Sequence, residues 1–183
     1  MTLGIPHDQA ARSEASRILA LATHQSEELF LGAGATREAL RRHDWSASPL
    51  GPHADWPPAL SSSVLHILWS AFPNLVLWGV DLLVLFNDAY IDLVGADTVT
   101  TLGLPARDGM PCIWEIVSPI LSRVRDGETL SCDDAELTIT RKGAPMTVRR
   151  TLSFAPMHDE AGVVHGVLVT VFDSDHVSPH RAD

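Results

Sequence analysis

The chain has 183 residues and a net charge of −10, and 45% of its residues are hydrophobic. This length suits one domain with an extension, and the apolar fraction argues against wholesale disorder. The negative charge argues against a nucleic-acid partner, because such affinity comes mainly from Lys and Arg. No apolar run approaches the ~20 residues of a membrane span, and the N-terminus lacks the features of a signal peptide. We therefore expect a cytoplasmic protein that binds neither nucleic acid nor membrane.

The cysteine content gives no indication of a metal site. Cys112 and Cys132 are the two cysteines, and neither belongs to a Cys-x-x-Cys pair. A structural zinc site is therefore not expected, and a disulfide would be unusual in the cytosol. We predict two reduced thiols.

Residues 1–43 are predicted to form an N-terminal helical extension. Small and apolar side chains recur at helical spacing between positions 9 and 22, a second helical stretch is predicted over 26–31, and a third, short helix is predicted over 36–42. The stripe is narrow and rich in alanine, so these helices are not expected to form a core alone. They are expected to pack on the following domain or on a second copy of the chain. The stripe consists of Ala11, Ala15, Ile18, Leu19 and Ala22.

Residues 44–58 form a lead-in rich in proline and glycine, in which regular structure is not expected. Its two tryptophans, Trp45 and Trp56, suggest a loop that is held in place by burial of aromatic rings. A helix is predicted to start near Pro57 and Pro58, since proline is tolerated in the first turn. It should run to about Ser70.

The stretch from 72 to 95 predicts a hairpin that leads directly into a helix. Residues 75–78 and 82–86 are short apolar runs bounded by turn residues, with the turn at 79–81. Asn87 follows immediately, and a short polar side chain there can cap the N-terminus of a helix. We expect residues 96–111 to be mixed and a longer helix to cover 112–125, bent or interrupted at Pro119.

Three strands are predicted after the long helix, over 129–140, 146–156 and 163–172. The last of them is apolar on both faces, which is typical of a central strand in a sheet covered on both sides. The helices near 60–71 and 112–125 are expected to cover one face of that sheet. The polar residues 174–183 are expected to be a disordered tail. The complete order predicts an α+β domain with a five-stranded antiparallel sheet.

This order of elements resembles that of PAS sensory domains, over about residues 40–173. Four stretches carry the resemblance: Phe86-Asn-Asp-Ala-Tyr90 at the first helix, Arg141-Lys-Gly143 at a hairpin, Asp159 to Gly166 at the last hairpin, and the lead-in from Asp44 to Pro57. The lead-in is similar to that of PAS domains in bacterial sensor histidine kinases. The resemblance implies a PAS-like domain over 44–173 that senses a signal or mediates dimerisation.

The resemblance also implies a pocket between the sheet and the inserted helices. Eight residues are then candidates to face a ligand or cofactor there, although such an apolar pattern more often belongs to a plain core. They are Phe86, Tyr90, Trp114, Val117, Leu121, Leu137, Leu152 and Val169.

The identity of any cofactor stays open at this stage. The surroundings of Cys112 lack the arginine, phenylalanine and glutamine of the flavin-reactive motif in photosensory PAS domains, so that photochemistry is not expected. Haem is an alternative with His66 as the nearest helical histidine, and non-covalent flavin is another. A small α+β enzyme is the third alternative. Because no catalytic motif is present, we do not expect an enzyme.

The partners that the resemblance implies are a second copy of the chain, a signalling protein such as a histidine kinase, and a small-molecule ligand. The homodimer would form through the N-terminal helices or through a face of the sheet.

Overall fold

The computed structural model describes residues 30–141, 144–159 and 161–173. The helix expected over 9–22, most of the helical stretch expected over 26–31, the turn residues Lys142 and Gly143, and the tail 174–183 lie outside these ranges. We number the elements of the described residues in chain order. They are α1 (Ala35–Arg42), α2 (Pro58–Leu68), β1 (Asn74–Trp78), β2 (Leu83–Phe86), α3 (Asp88–Val94), α4 (Ala106–Gly109), α5 (Pro111–Arg125), β3 (Leu130–Arg141), β4 (Ala144–His158) and β5 (Val164–Asp173), with 3₁₀ turns at Trp45–Ala47, His53–Asp55 and Ala96–Thr101.

The five strands form one antiparallel sheet in the order β2-β1-β5-β4-β3. The predicted fold class is therefore confirmed, as is the hairpin of β1 and β2. β5 lies in the centre of the sheet, as its apolar residues on both faces predicted.

Helix α5 covers one face of the sheet, where it contacts β3, β4 and β5. It buries Val117, Leu121 and Val124 against the strands. The helix continues through Pro119, so the expected interruption does not occur. Pro119 is exposed, and proline removes only one backbone donor there. Packing of the buried face holds the helix together, as is usual for helices in proteins.

Helix α2 lies on the opposite face. In the register of the sheet, Val76 of β1 lies opposite Leu85 of β2 and Leu168 of β5. These three side chains are on the face of the sheet away from α5. Val76 and Leu85 are nevertheless fully buried, and α2 is the helix that contacts both β1 and β2. The expectation that α2 and α5 share one face was therefore wrong. Helical periodicity shows which side of a helix is buried, but it does not show which side of a sheet receives it.

The lead-in wraps around its two tryptophans, as the sequence predicted. The indole of Trp45 donates to Leu40 O at 2.8 Å, and the indole of Trp56 donates to Gly51 O at 3.2 Å. The two rings meet edge to face with centroids 4.9 Å apart. Phe30 packs on Trp56 at 5.9 Å and is fully buried. Aromatic burial thus holds a segment that lacks strands and α-helices.

Helix α1 is tied to the domain through two residues of its first turn. Asp88 accepts a hydrogen bond from Thr36 N at 2.8 Å, which caps the N-terminus of α1 from another helix. A side chain at Gly34 would collide with Asp88, because a Cβ there would lie 2.1 Å from its carboxylate. The buried Arg37 donates to Leu68 O at 2.9 Å. It thereby caps the C-terminus of α2, where a cation is favoured.

Asn87 joins three elements at one point. Its side-chain oxygen accepts from Asn74 N at 3.0 Å and from Tyr90 N at 3.1 Å. Its amide donates to three backbone carbonyls at the end of α2 and in the following turn. The sequence predicted the cap on α3, and the structure adds the bonds to β1 and to α2. The three acceptors are Ile67 O, Ser70 O and Phe72 O, at 3.0, 3.2 and 2.8 Å.

We predict that Asn87→Ala lowers the free energy of unfolding by about 2–4 kcal/mol, since it removes a helix cap and leaves buried backbone groups unpaired. Urea denaturation followed by circular dichroism measures the change. Asp92→Ala is the matched control, because Asp92 is exposed on the same helix, and it should change stability little. Equal stabilities of the two variants would contradict the central role of Asn87.

Candidate functional site

A small cavity of about 30 Å³ lies between α5 and the inner face of the sheet. The sheet supplies one wall, and α3, α5 and the residue before α5 supply the other. The lining is apolar except for one hydroxyl group. Its residues are Leu75, Leu77, Tyr90, Met110, Ile113, Val117, Leu121, Leu137, Leu152, Phe154, Val169 and Val171.

The structure brings six of the eight candidate residues together around this cavity: Tyr90, Val117, Leu121, Leu137, Leu152 and Val169. Phe86 and Trp114 do not line it. The buried ring of Phe86 packs against Tyr90 with centroids 5.7 Å apart. Trp114 contacts Arg107 instead, whose guanidinium lies 5.6 Å from the ring centroid. That the six residues bind a ligand stays a prediction.

Some residues of the cavity lining were not predicted from the sequence, although strand alternation or helical spacing indicated them. Phe154 and Val171 lie two positions from Leu152 and Val169, so strand alternation places them on the same face. Ile113 precedes Val117 by four positions, which places both on one side of a helix. Met110 carried no such signal. It stands between two helices, and its position depends on where each of them ends.

Tyr90 supplies the single polar group of the cavity. Its side chain is buried, and the hydroxyl lies 3.9 Å from the thioether of Met110. Thioether sulfur is a weak acceptor, so the hydroxyl lacks a strong partner among the described residues. Burial raises the pKa of Tyr90 to about 12, because the phenolate would lose its hydration. The group is therefore a neutral donor that faces an apolar space.

A cleft of about 360 Å³ lies directly outside the cavity, between the 96–101 turn, α4, the start of α5 and the β3 strand. Tyr90, Met110, Ile113 and Leu137 line both spaces. These four side chains are therefore the partition between them. The remaining cleft residues are Val94, Gly95, Asp97, Thr98, Thr101, Gly109, Pro111, Thr138 and Ile139.

The closed cavity does not fit a flavin or a haem. Ligand pockets of drug-sized molecules measure roughly 300–1,000 Å³, about ten times this volume or more. His66, the histidine considered for haem, is exposed on α2 beside Leu65 and Trp69. It does not line the cavity, which lies on the other face of the sheet. Within its walls Tyr90 is the sole ionisable side chain.

Three neighbouring acidic residues of β3 lie outside this cavity. Asp133, Asp134 and Glu136 are exposed on β3, near the irregularity in its pairing with β4. Within the described ranges, no three His, Cys, Asp or Glu side chains are placed to hold a metal ion. A search of the same residues finds no helix with the length and hydropathy that a membrane crossing requires.

Asp159 organises the last hairpin, one of the stretches that carried the resemblance. Its carboxylate accepts from Ala161 N and Val163 N at 2.8 and 2.9 Å and contacts His165 at 2.9 Å. These interactions, above all the one with Val163 N, hold the pKa of Asp159 below its usual value. Gly166 is needed on structural grounds, because a Cβ there would lie 2.7 Å from the Trp78 ring. This motif therefore shapes the hairpin.

Neither a protein-family model nor a curated protein matches the chain. Several solved structures are similar to it. The PAS domain of Bordetella pertussis BvgS is 23% identical over 66% of this chain and 88% of its own, with a TM-score of 0.46. A sensory box histidine kinase from Vibrio cholerae is 15% identical over 62% and 88%, with a TM-score of 0.42. A Rhodobacter sphaeroides LOV protein is 13% identical over 67% and 71%, with a TM-score of 0.46.

The order of elements along the chain is the one that the resemblance to PAS domains implied. Two strands, a group of helices ending in a long one, and three further strands form one antiparallel sheet. The chain therefore has a PAS-like fold.

We predict that Tyr90 ionises near pH 12 in the folded protein and near pH 10 in denaturant. Because the pKa of Tyr90 is higher in the folded state than in the unfolded state, the neutral phenol contributes about 2–3 kcal/mol to the free energy of unfolding. This contribution is complete below pH 10 and is lost as the pH rises to 12. Tyr90 is the single tyrosine of the chain, so tyrosinate absorbance reports this residue alone. Tyr90→Phe should remove that part of the pH dependence of stability. Native ionisation near pH 10 would contradict the buried placement.

Proposed function

We infer that this chain is a non-enzymatic sensory module in signal transduction, and that it responds to a small ligand in the Tyr90 cavity. The observation that carries the proposal is the pairing of a small apolar cavity with an open cleft, separated by four side chains. A plain core would need neither the cleft nor a partition that contains a flexible methionine.

The response would pass through α5. This helix forms one wall of the cavity and contacts β3, β4 and β5. A ligand that enlarges the cavity must move α5 or its first residues relative to the sheet, because packed interiors have little free volume. The size of the response is limited by the difference between the ligand's affinities for the two states. The output partner would be a signalling protein such as a histidine kinase.

Val117→Phe tests the cavity as the binding site. The larger ring occupies the space beside Leu121, and small molecules that bind to or co-purify with the wild-type chain should no longer do so. Ile116→Phe is the matched control, because Ile116 is the neighbouring residue of α5 and is 50% exposed. Native mass spectrometry and solvent extraction of the purified protein measure the bound molecule, and circular dichroism checks folding.

Two outcomes would overturn the sensory proposal. One is a small molecule that persists in Val117→Phe, since the cavity would then not be its site. The other is the absence of any co-purified molecule together with no change in melting temperature across a panel of metabolites.

A second candidate function is homodimerisation through the stretch 65–72. The exposure of aromatic side chains in this stretch supports it. Trp69 is 73% exposed and Phe72 57% exposed. Trp69 is held in place by Arg37, whose guanidinium lies 4.7 Å from the ring centroid. Phe72 packs on Phe172 at 5.7 Å. Exposed and immobilised aromatics are the residues that dominate binding energy at interfaces.

A second copy of the chain is the proposed occupant of this surface. In a two-fold dimer the same patch meets itself, and charges of both signs stand beside it. Arg150 and Asp173 pair at 3.3 Å next to Phe172. Because this surface carries charges of both signs, it does not repel the same surface on a second copy, whereas the net negative charge of the whole chain would.

We predict that the full chain is a dimer and that Trp69→Ser combined with Phe72→Ser makes it monomeric. Removal of two central aromatics from an interface weakens association about 30-fold or more. Light scattering after size-exclusion chromatography measures the mass. Val80→Ser is the control, because Val80 is 78% exposed in the turn between β1 and β2. A monomeric wild-type chain, or a double variant that remains dimeric, would overturn the interface.

A further inference from the structure

Of the four side chains that separate the cavity from the cleft, that of Met110 can move at the lowest energetic cost. Met110 follows the end of α4 and precedes α5, between Gly109 and Pro111. Methionine has three rotatable bonds in its side chain and adapts to irregular spaces. Its polar contact with Tyr90 is long, at 3.9 Å. Rotation of Met110 alone would therefore join the cavity of about 30 Å³ to the cleft of about 360 Å³.

The linings exclude a charged ligand on electrostatic grounds. Neither space has a Lys, Arg or His side chain in its lining, and the cleft carries the carboxylate of Asp97. A carboxylate or phosphate that entered the cavity would lose its hydration without gaining a cation, which is strongly unfavourable. A cation would find no carboxylate inside the cavity. The molecule that fits must therefore be uncharged.

The hydroxyl of Tyr90 favours a ligand that carries a hydrogen-bond acceptor. Burial keeps the group protonated, and its present partner is a thioether, which accepts weakly. A carbonyl or ether oxygen of a ligand would accept a better hydrogen bond in the same place. A net hydrogen bond of this kind makes binding about threefold to tenfold tighter.

We propose that the cavity binds an uncharged, mainly apolar molecule with one hydrogen-bond acceptor, such as a ketone, ester or ether, which Tyr90 recognises after Met110 moves aside. The inference rests on the proposed function of the cavity as a ligand site, and it specifies the chemical class of that ligand.

Three probes of nearly equal shape separate the possibilities: acetophenone, ethylbenzene and benzoate. Acetophenone has the acceptor, ethylbenzene lacks it, and benzoate replaces the methyl group by a charged oxygen. Amide NMR titration of the full chain measures each affinity. We expect acetophenone to bind about threefold to tenfold more tightly than ethylbenzene, and benzoate not to bind at neutral pH. In Tyr90→Phe, acetophenone and ethylbenzene should bind equally.

The role of Met110 has a separate readout. The methyl groups of the four methionines can be labelled selectively, and Met110→Leu identifies the resonance of Met110. Acetophenone should shift that resonance more than any other methionine methyl. Val117→Phe should abolish the shift, and Ile116→Phe should leave it.

The outcomes distinguish this inference from the proposed function. Equal binding of acetophenone and ethylbenzene to the wild type, with loss in Val117→Phe, would overturn the acceptor requirement and leave the cavity as a ligand site. Tighter binding of benzoate would overturn the exclusion of charge. If Val117→Phe does not weaken the binding of acetophenone, the cavity is not the binding site. Failure of all three probes to bind would overturn the chemical class, while a co-purified molecule lost in Val117→Phe would still support the site.

Discussion

The hydrogen bonds of one buried side chain fix the relation between the sheet and its helices. Asn87 uses its oxygen to hold β1 and to cap α3, and it uses its amide to hold the end of α2. Helices α2 and α3 are thereby both joined to β1 through one side chain. The cap is made to the backbone of Tyr90, which places the tyrosine within the first turn of α3. The position of the cavity hydroxyl therefore depends on Asn87.

The second constraint is that β1 is buried on both faces, while the residues of β5 on the face away from the cavity are half-buried. Leu75, Leu77 and Val169 face the cavity, whereas Val76 faces the side of α2. Helices must cover both sides of this half of the sheet, and the lead-in must carry the chain from α1 to α2. Burial of Trp45 and Trp56 allows it to do so without regular structure.

Sequence reasoning succeeded where a local pattern decides the outcome. Short apolar runs bounded by turn residues predicted β1 and β2, apolar residues on both faces identified β5 as central, and Asn87 indicated the start of α3. It failed where tertiary packing decides. Trp114 is adjacent to Ile113, but one step along a helix turns a side chain by about 100°, and the tryptophan meets Arg107 instead of the cavity. Pro119 would break an isolated helix, but α5 is held by its buried face.

Met110 is the one residue of the partition that the sequence pattern could not predict. No periodicity reaches it, because it belongs to neither helix and follows the end of α4. The same absence of regular structure makes it the movable member of the partition, while Leu137 is fixed in a strand and Ile113 in a helix. A closed cavity of about 30 Å³ keeps the core well packed without a ligand. A ligand of the proposed kind would have to supply the energy of moving Met110, and the difference between the two positions would be the signal that α5 transmits to the sheet.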